Sequence, residues 1–163
     1  MGMRSTLVFI AFLVAVLATA SIGAFFTAPG VRDWYPSLAK PSWTPPAWVF
    51  GPVWSALYLS IAVAGFLAWR QGRSTEARSA MAWFALQLAL NAGWSWVFFG
   101  LRQPGWAFAE IVLLWGAIFA STVALFRVSR AAGWLFIPYL LWVTFAAALN
   151  FAIWRLNNAV ADV

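Results

Sequence analysis

Five apolar stretches, each about 20 residues long, limit what this 163-residue chain can fold into. A helix of that length is just long enough to cross the hydrocarbon core of a bilayer. Charged residues make up only 9% of the chain, too few to coat a soluble globule. The sequence therefore predicts an all-α membrane protein in which residues 1–163 form one five-helix transmembrane bundle. The predicted spans are 5–26, 47–69, 78–99, 104–126 and 133–154.

The connections predict the topology. Three are short polar turns, which make neighbouring helices antiparallel, while residues 27–46 form a long loop. Six Lys or Arg residues then fall on the N-terminal side (Arg4, Arg70, Arg73, Arg78, Arg127 and Arg130) and four on the other (Arg32, Lys40, Arg102 and Arg155). This bias favours a cytoplasmic N-terminus in a bacterial cell membrane and leaves inner and outer membrane open.

The first span also has features of a signal peptide. Arg4 precedes an apolar run, and Ala18-Thr19-Ala20 resembles a cleavage site. The run continues to Phe26, however, which favours a full span over a cleaved leader.

The chain contains no Cys and no His, which excludes thiol nucleophiles, disulfides and imidazole ligands. Its four acidic residues (Asp33, Glu76, Glu110 and Asp162) are too scattered for a carboxylate metal cage. We therefore expect neither a metal nor a cofactor. The net charge of +6 is spread over loop ends, which indicates membrane topology and not nucleic-acid binding.

Residues 34–58 combine four Trp, two Tyr and five Pro just before and within the second span. Proline fixes φ and restricts the preceding residue, so the loop is stiff. Rigid aromatic groups beside a membrane helix predict a lid over a large, flat, apolar ligand.

Polar and aromatic side chains gather in the half of the bundle next to this loop, counted at 1.5 Å per residue. Because all five helices close into one bundle, we expect these groups to converge on one pocket: Trp54, Tyr58, Asn91, Trp94, Ser95, Trp96, Glu110, Trp142 and Asn150. Asn91 and Asn150 are equally well explained as interhelical hydrogen-bond partners. Glu110 is the only carboxylate within a span. It is either a functional group or a carboxyl that is simply protonated, and the two interpretations are equally well supported.

The opposite face of the third span carries Ala85, Ala89 and Gly93. Small residues at this spacing allow two membrane helices to approach closely. The face predicts a homodimer contact or, equally, packing against a helix of the same bundle.

Longer motifs resemble one family. The pattern Trp34-Tyr35-x-x-Leu38-x-Lys40-Pro41-x-Trp43-x-Pro45-Pro46-x-Trp48 continues as Phe50-x-Pro52-Val53-Trp54-x-x-Leu57-Tyr58. Further matches are Leu90-Asn91-x-x-Trp94-Ser95, Ala109-Glu110, Pro138-Tyr139-Leu140-x-Trp142 and Leu149-Asn150. The chain resembles the translocator protein family, also called tryptophan-rich sensory protein or peripheral-type benzodiazepine receptor, over nearly its whole length.

The resemblance implies a five-helix membrane protein, often dimeric, that binds porphyrins such as protoporphyrin IX, and also isoquinoline or benzodiazepine drugs. Carried over by position, the ligand-binding residues are Trp34, Tyr35, Trp43, Pro46, Trp48, Trp54, Tyr58, Asn91, Trp94, Trp142, Phe145, Ala146 and Asn150. The animal sterol pattern has Tyr where this chain has Phe151, which counts against sterol binding.

Three functions follow as hypotheses. The first is a receptor or carrier for tetrapyrroles, in their transport or in stress signalling. The second is light-dependent porphyrin degradation, with Trp54 and Trp142 as photochemical candidates; whether the chain is an enzyme in this sense stays open. The third is a regulatory membrane protein whose pocket holds lipid.

Overall fold

The structure is a computed structural model that describes residues 2–72 and 74–161, with the side chains of 159–161 left aside. Arg73 and the ends of the predicted domain, Met1 and residues 162–163, lie outside the described residues. The described chain folds into five α-helices: α1 Met3–Asp33, α2 Ala47–Trp69, α3 Thr75–Ser95, α4 Pro104–Val128 and α5 Arg130–Ala161. A short 3₁₀ turn, Tyr35–Ser37, follows α1, and a π-helical turn, Trp96–Gly100, follows α3.

The all-helical membrane fold is confirmed. Helices α1, α2, α4 and α5 are each long and apolar enough to cross a membrane. Helix α3 is less apolar because its first turn carries Thr75, Glu76 and Arg78 and its interior carries Gln87 and Asn91. Both of these amides are buried against neighbouring helices, so α3 keeps its polar groups away from lipid.

The first helix is longer than the sequence predicts, and the loop is correspondingly shorter. Residues 27–33 continue α1 through Pro29, and the Trp34 N–H still donates to the Gly30 carbonyl at 3.0 Å. A Cβ at Gly30 would lie 2.7 Å from Phe99 Cδ1, so α1 packs directly on the π turn there. This tertiary contact offsets the hydrogen bond that Pro29 cannot make. We call the remaining loop, residues 34–46, the lid.

The five helices form a closed ring in the order α1, α2, α5, α4, α3, with α3 returning to α1. The half of the bundle away from the lid is filled by a packed core that includes Ile61, Ile118, Leu125 and Phe136. Gly65 shows how tight this half is, because a Cβ there would lie 2.7 Å from Phe84. The half near the lid is not filled in this way, and it holds the cavity described below.

The small-residue face of α3 divides into two parts. Ala85 and Ala89 are exposed on the outside of the bundle. Gly93 is half-buried, and a Cβ there would lie 3.5 Å from Glu110 Oε1 on α4. The part of the face at Gly93 thus packs within the bundle, while the part at Ala85 and Ala89 is open to a second chain. The homodimer stays a prediction.

Candidate functional site

A cavity of about 520 Å³ lies beneath the lid and is surrounded by all five helices. Residues of α2 that recur every three or four positions line it: Ala47, Phe50, Gly51, Trp54 and Tyr58. That spacing keeps one face of a helix turned inward. Its walls are mostly apolar and aromatic, so the cavity suits a ligand with little polar surface.

Eight of the residues predicted for the site line this cavity: Tyr35, Trp54, Tyr58, Asn91, Trp94, Trp142, Ala146 and Asn150. They come from the lid, α2, α3 and α5, and the first and last of them, Tyr35 and Asn150, are more than 100 positions apart in the sequence. The two photochemical candidates, Trp54 and Trp142, are both among them.

The other five predicted site residues do not line the cavity. Trp34 packs edge-on against Phe98, and Trp43 packs edge-on against Phe145, which in turn contacts Trp142. Trp34, Trp43 and Phe145 therefore form an aromatic layer behind the cavity wall. Pro46 is exposed at the start of α2, and Trp48 is 74% exposed. Trp48 follows Ala47 by one position, or about 100° of helical rotation, which turns it away from the inward face of α2.

Two tryptophans of the helical bundle lie outside the cavity, and one of them, Trp96, was expected to line it. Trp96 is 48% exposed, and Trp115 lies in an open groove of about 380 Å³ on the outer face of α4 and α5. The Trp115 Nε1–H donates to Thr144 Oγ1 at 2.8 Å. This hydrogen bond satisfies the indole at membrane depth and accounts for its position without a cavity.

Glu110 is likewise absent from the cavity wall. Its neighbours Ile111 and Leu114 line the cavity, whereas its carboxyl lies between α4 and Gly93 of α3. Both oxygens are buried, and no described residue donates a hydrogen bond to them. The expectation that Glu110 joins the pocket is therefore wrong, because its position on α4 faces α3.

Both intramembrane asparagines bind neighbouring helices as well as lining the cavity. Asn150 Oδ1 accepts a hydrogen bond from the Trp94 Nε1–H at 3.0 Å, and its Nδ2 donates to the Pro104 carbonyl at 2.8 Å. Asn150 therefore ties α3, α4 and α5 together at the cavity and fixes the plane of the Trp94 ring. Asn91 accepts from the Tyr58 hydroxyl at 2.9 Å and belongs to a longer polar chain.

Lys40 fixes the shape of the lid. Its Nζ donates to the carbonyls of Tyr35, Pro36 and Leu38 at 2.9, 3.3 and 2.7 Å, and it lies 5.0 Å from the centre of the Tyr35 ring. An ammonium has three donors, so all of them are used within the lid. Burial raises the pKa of the Tyr35 phenol, which keeps this ring neutral beneath the ammonium.

Asn157 attaches the lid to α5. Its Oδ1 accepts from the Ala39 N–H, and its Nδ2 donates to the Ala39 carbonyl, both at 3.0 Å. The Nδ2 also donates to the Ile153 carbonyl at 2.7 Å, which holds the side chain in place. The lid is thus bound at one residue to a helix 118 positions away.

Sequence reasoning missed the α1 wall of the cavity. This wall consists of Ala20, Gly23, Ala24, Thr27 and Val31. Their spacing is helical, but their side chains are small and carry no charge, so they resemble ordinary span residues. It also missed Phe99, which reaches the cavity beside Phe98 because the π turn widens the helix at that point. In the described chain, no three Asp or Glu side chains gather at one place, so no site for a metal is evident.

The fold and the cavity define an integral, multi-pass membrane protein with an internal, aromatic-lined cavity. The TspO/MBR family model matches residues 10–155, and the chain belongs to this family. It is 43% identical to the translocator protein of Homo sapiens over 136 residues, covering 82% of this chain and 80% of that protein. It is 43% identical to tryptophan-rich protein TspO of Archaeoglobus fulgidus over 148 residues, covering 91% and 95%. Protein CrtK of Rhodobacter capsulatus is 40% identical over 156 residues, covering 94% of each chain. The family resemblance is confirmed.

Proposed function

We propose that this protein is a membrane receptor or carrier that binds porphyrins, such as protoporphyrin IX, in the cavity beneath the lid. The observation that carries the proposal is the aromatic wall of Trp54, Trp94 and Trp142 around a space of about 520 Å³. Cavities of about 300–1,000 Å³ hold a single drug-sized molecule. A flat tetrapyrrole has the large π surface that three indoles recognise best.

The gain from binding comes from apolar burial and ring contacts. Each aromatic pair contributes about 0.5–1.5 kcal/mol beyond the area that it buries. The rings are held before a ligand arrives: Trp142 contacts Phe50 and Phe145 at centroid distances of 5.8 and 5.5 Å, and Trp54 contacts Tyr58 at 5.2 Å. A cavity that is already ordered loses little conformational entropy when it binds.

The carboxylates of a porphyrin would face the lid. Lys40 lines the cavity at that end, and although its three N–H groups are used by lid carbonyls, its positive charge remains. Arg32 lies exposed in the last turn of α1 next to the lid. Both cations favour a ligand whose acidic groups point out of the membrane.

A dark titration with protoporphyrin IX, followed by tryptophan quenching in detergent, tests the proposal. We expect saturable quenching and about fivefold weaker binding by Trp142→Phe, because phenylalanine keeps only one of the two fused rings that the indole presents to the ligand. Trp48→Phe is the matched control, since Trp48 is outside the cavity and 74% exposed. No saturable quenching, or equal affinities for the two variants, would contradict the proposal; in the first case, a lipid becomes the better candidate for the cavity.

A second candidate, light-dependent porphyrin degradation with dioxygen as the oxidant, is favoured by one observation. Trp54 and Trp142 both line the cavity, so an excited porphyrin there would lie beside two oxidisable indoles. Illuminating the same titrated sample separates the two functions. Loss of porphyrin absorbance that requires both indoles supports degradation, and the same loss with the double Phe variant assigns it to free porphyrin.

A further inference from the structure

Four side chains form a continuous hydrogen-bonded chain from the cavity wall into the protein interior. The Tyr58 hydroxyl donates to Asn91 Oδ1 at 2.9 Å, and Asn91 Nδ2 donates to the Tyr139 oxygen at 3.0 Å. The Tyr139 hydroxyl then donates to Gln87 Oε1 at 3.0 Å. Tyr58 and Asn91 line the cavity, whereas Tyr139 and Gln87 are fully buried.

All three hydrogen bonds donate in the same direction, away from the cavity. The chain ends on Gln87 Nε2, which is buried and to which no described residue offers an acceptor. At the other end, the Tyr58 O–H is used in the hydrogen bond to Asn91, so the Tyr58 oxygen can only accept a hydrogen bond from the cavity. This arrangement suits a ligand that carries an N–H or O–H group.

The same four side chains can also form a chain in which every hydrogen bond is donated in the opposite direction, toward the cavity. Rotating the two amides by 180° exchanges their oxygen and nitrogen positions with little change in shape. Gln87 then donates to Tyr139, Tyr139 to Asn91 and Asn91 to Tyr58, and three internal hydrogen bonds are kept. The Tyr58 hydroxyl becomes a donor toward the cavity, and Gln87 is left with an unpaired carbonyl in place of an unpaired amide nitrogen.

We propose that Tyr58, Asn91, Tyr139 and Gln87 act as a reversible hydrogen-bond relay. In one direction the Tyr58 hydroxyl accepts a hydrogen bond from the ligand, and in the other direction it donates one. The ligands are flat aromatic molecules with a donor, such as a pyrrole-type N–H, or an acceptor, such as a ketone. The proposal rests on ligand binding in the cavity as proposed above. Tyr58 and Asn91 meet the ligand, while Tyr139 and Gln87 position them.

The hydroxyl of Tyr58 is placed for this contact. Its Oη lies 3.9 Å from the position that a Cβ of Gly23 would occupy, on the α1 wall of the cavity, with Ser95 Oγ in the same place. A side chain at Gly23 would touch both hydroxyls, so the glycine leaves them uncovered on the α1 side of the cavity. The hydrogen-bonded chain meets the cavity only at Tyr58. A single ligand contact there therefore decides the direction of donation in all three hydrogen bonds of the chain.

Gln87→Met should fix the direction of the relay. Methionine matches glutamine in length but is only a weak acceptor, so the Tyr139 hydroxyl must turn to Asn91. Tyr58 then donates to the cavity, which favours ketones and disfavours N–H ligands. Gln87→Leu removes the same acceptor and serves as the second variant if the first is not recovered folded.

The probes are carbazole, fluorenone and fluorene, three flat tricyclic molecules that differ in one central group. Equilibrium dialysis of the full chain in a single detergent gives their dissociation constants. For each variant we take the ratio of the constants of two probes. Because every variant is measured in the same detergent, the partitioning of the probes into micelles cancels when these ratios are compared. We expect Gln87→Met to raise the carbazole-to-fluorenone ratio of dissociation constants about tenfold, with fluorene unchanged. In a Tyr139→Phe background, which interrupts the relay, the same substitution should leave the ratio unchanged.

Each alternative outcome has a separate meaning. If fluorene binds saturably but Gln87→Met leaves the ratio unchanged, or shifts it equally in the Tyr139→Phe background, the relay is overturned and binding in the cavity stands. If none of the three probes binds the unmodified chain saturably, the relay is overturned, because no ligand of the proposed kind reaches it; the titration with protoporphyrin IX decides the proposed function separately.

Discussion

Asn157 joins α5 to the lid, and replacing it with alanine should accelerate ligand exchange. Two hydrogen bonds connect its amide to Ala39, each 3.0 Å long and close to the surface. A net contribution of about 0.5–1 kcal/mol for each bond gives about 1–2 kcal/mol for closing the lid. Exchange through an opened lid should therefore become about 5- to 30-fold faster. The dissociation constant should change little, because the bonds are lost from the free and the bound closed states alike.

The assay is a stopped-flow chase of bound protoporphyrin IX, followed by the recovery of tryptophan fluorescence. Asn158→Ala is the matched control, since Asn158 is the next residue on α5 and is exposed. Asn157→Asp keeps the acceptor for the Ala39 N–H and loses the donor, so it should show an intermediate rate. Equal rates for Asn157→Ala and Asn158→Ala would refute the reasoning and indicate that ligands enter between helices from the bilayer.

Two further predictions concern charge and assembly. Lys40→Met should weaken the binding of protoporphyrin IX about fivefold more than that of its dimethyl ester, because only the free acid carries carboxylates. Equal losses in a parallel titration would show that Lys40 acts through the shape of the lid alone. The exposed part of the α3 small-residue face predicts that Ala89→Leu lowers the detergent-solubilised mass from two chains to one. An unchanged mass in light scattering would exclude this face as the dimer contact.

The sequence predicts the helices well because four of the five are long apolar runs, and the requirement that backbone groups be paired in lipid leaves few other structures. It fails where tertiary contacts override a local rule. Pro29 is a helix-breaking signal, yet α1 continues because Gly30 packs directly on Phe99. The π turn at Trp96–Gly100 has no composition that distinguishes it from an α-helix, so the inward position of Phe99 beside Phe98 was not foreseen.

The candidate site was predictable where residue type and helical position agree. Trp54, Asn91 and Asn150 were placed by depth alone, and the structure brings all three to the cavity. Depth does not give the direction in which a side chain points, which is why Trp96 and Glu110 were misplaced. Contacts within loops are harder still to predict, since nothing in the sequence indicates that Lys40 would donate all its hydrogen bonds to lid carbonyls.

The odd number of helices has a practical consequence for handling the protein. Five helices that alternate in direction leave the start of α1 and the end of α5 at opposite ends of the bundle, and α5 ends at Ala161, one turn beyond the Asn157 that binds the lid. A bulky fusion at the C-terminus would sit next to the Asn157–Ala39 attachment and disturb entry to the cavity. A purification tag before α1 would lie at the end of the bundle away from the site, whereas a small fluorophore near residue 158 would report directly on opening.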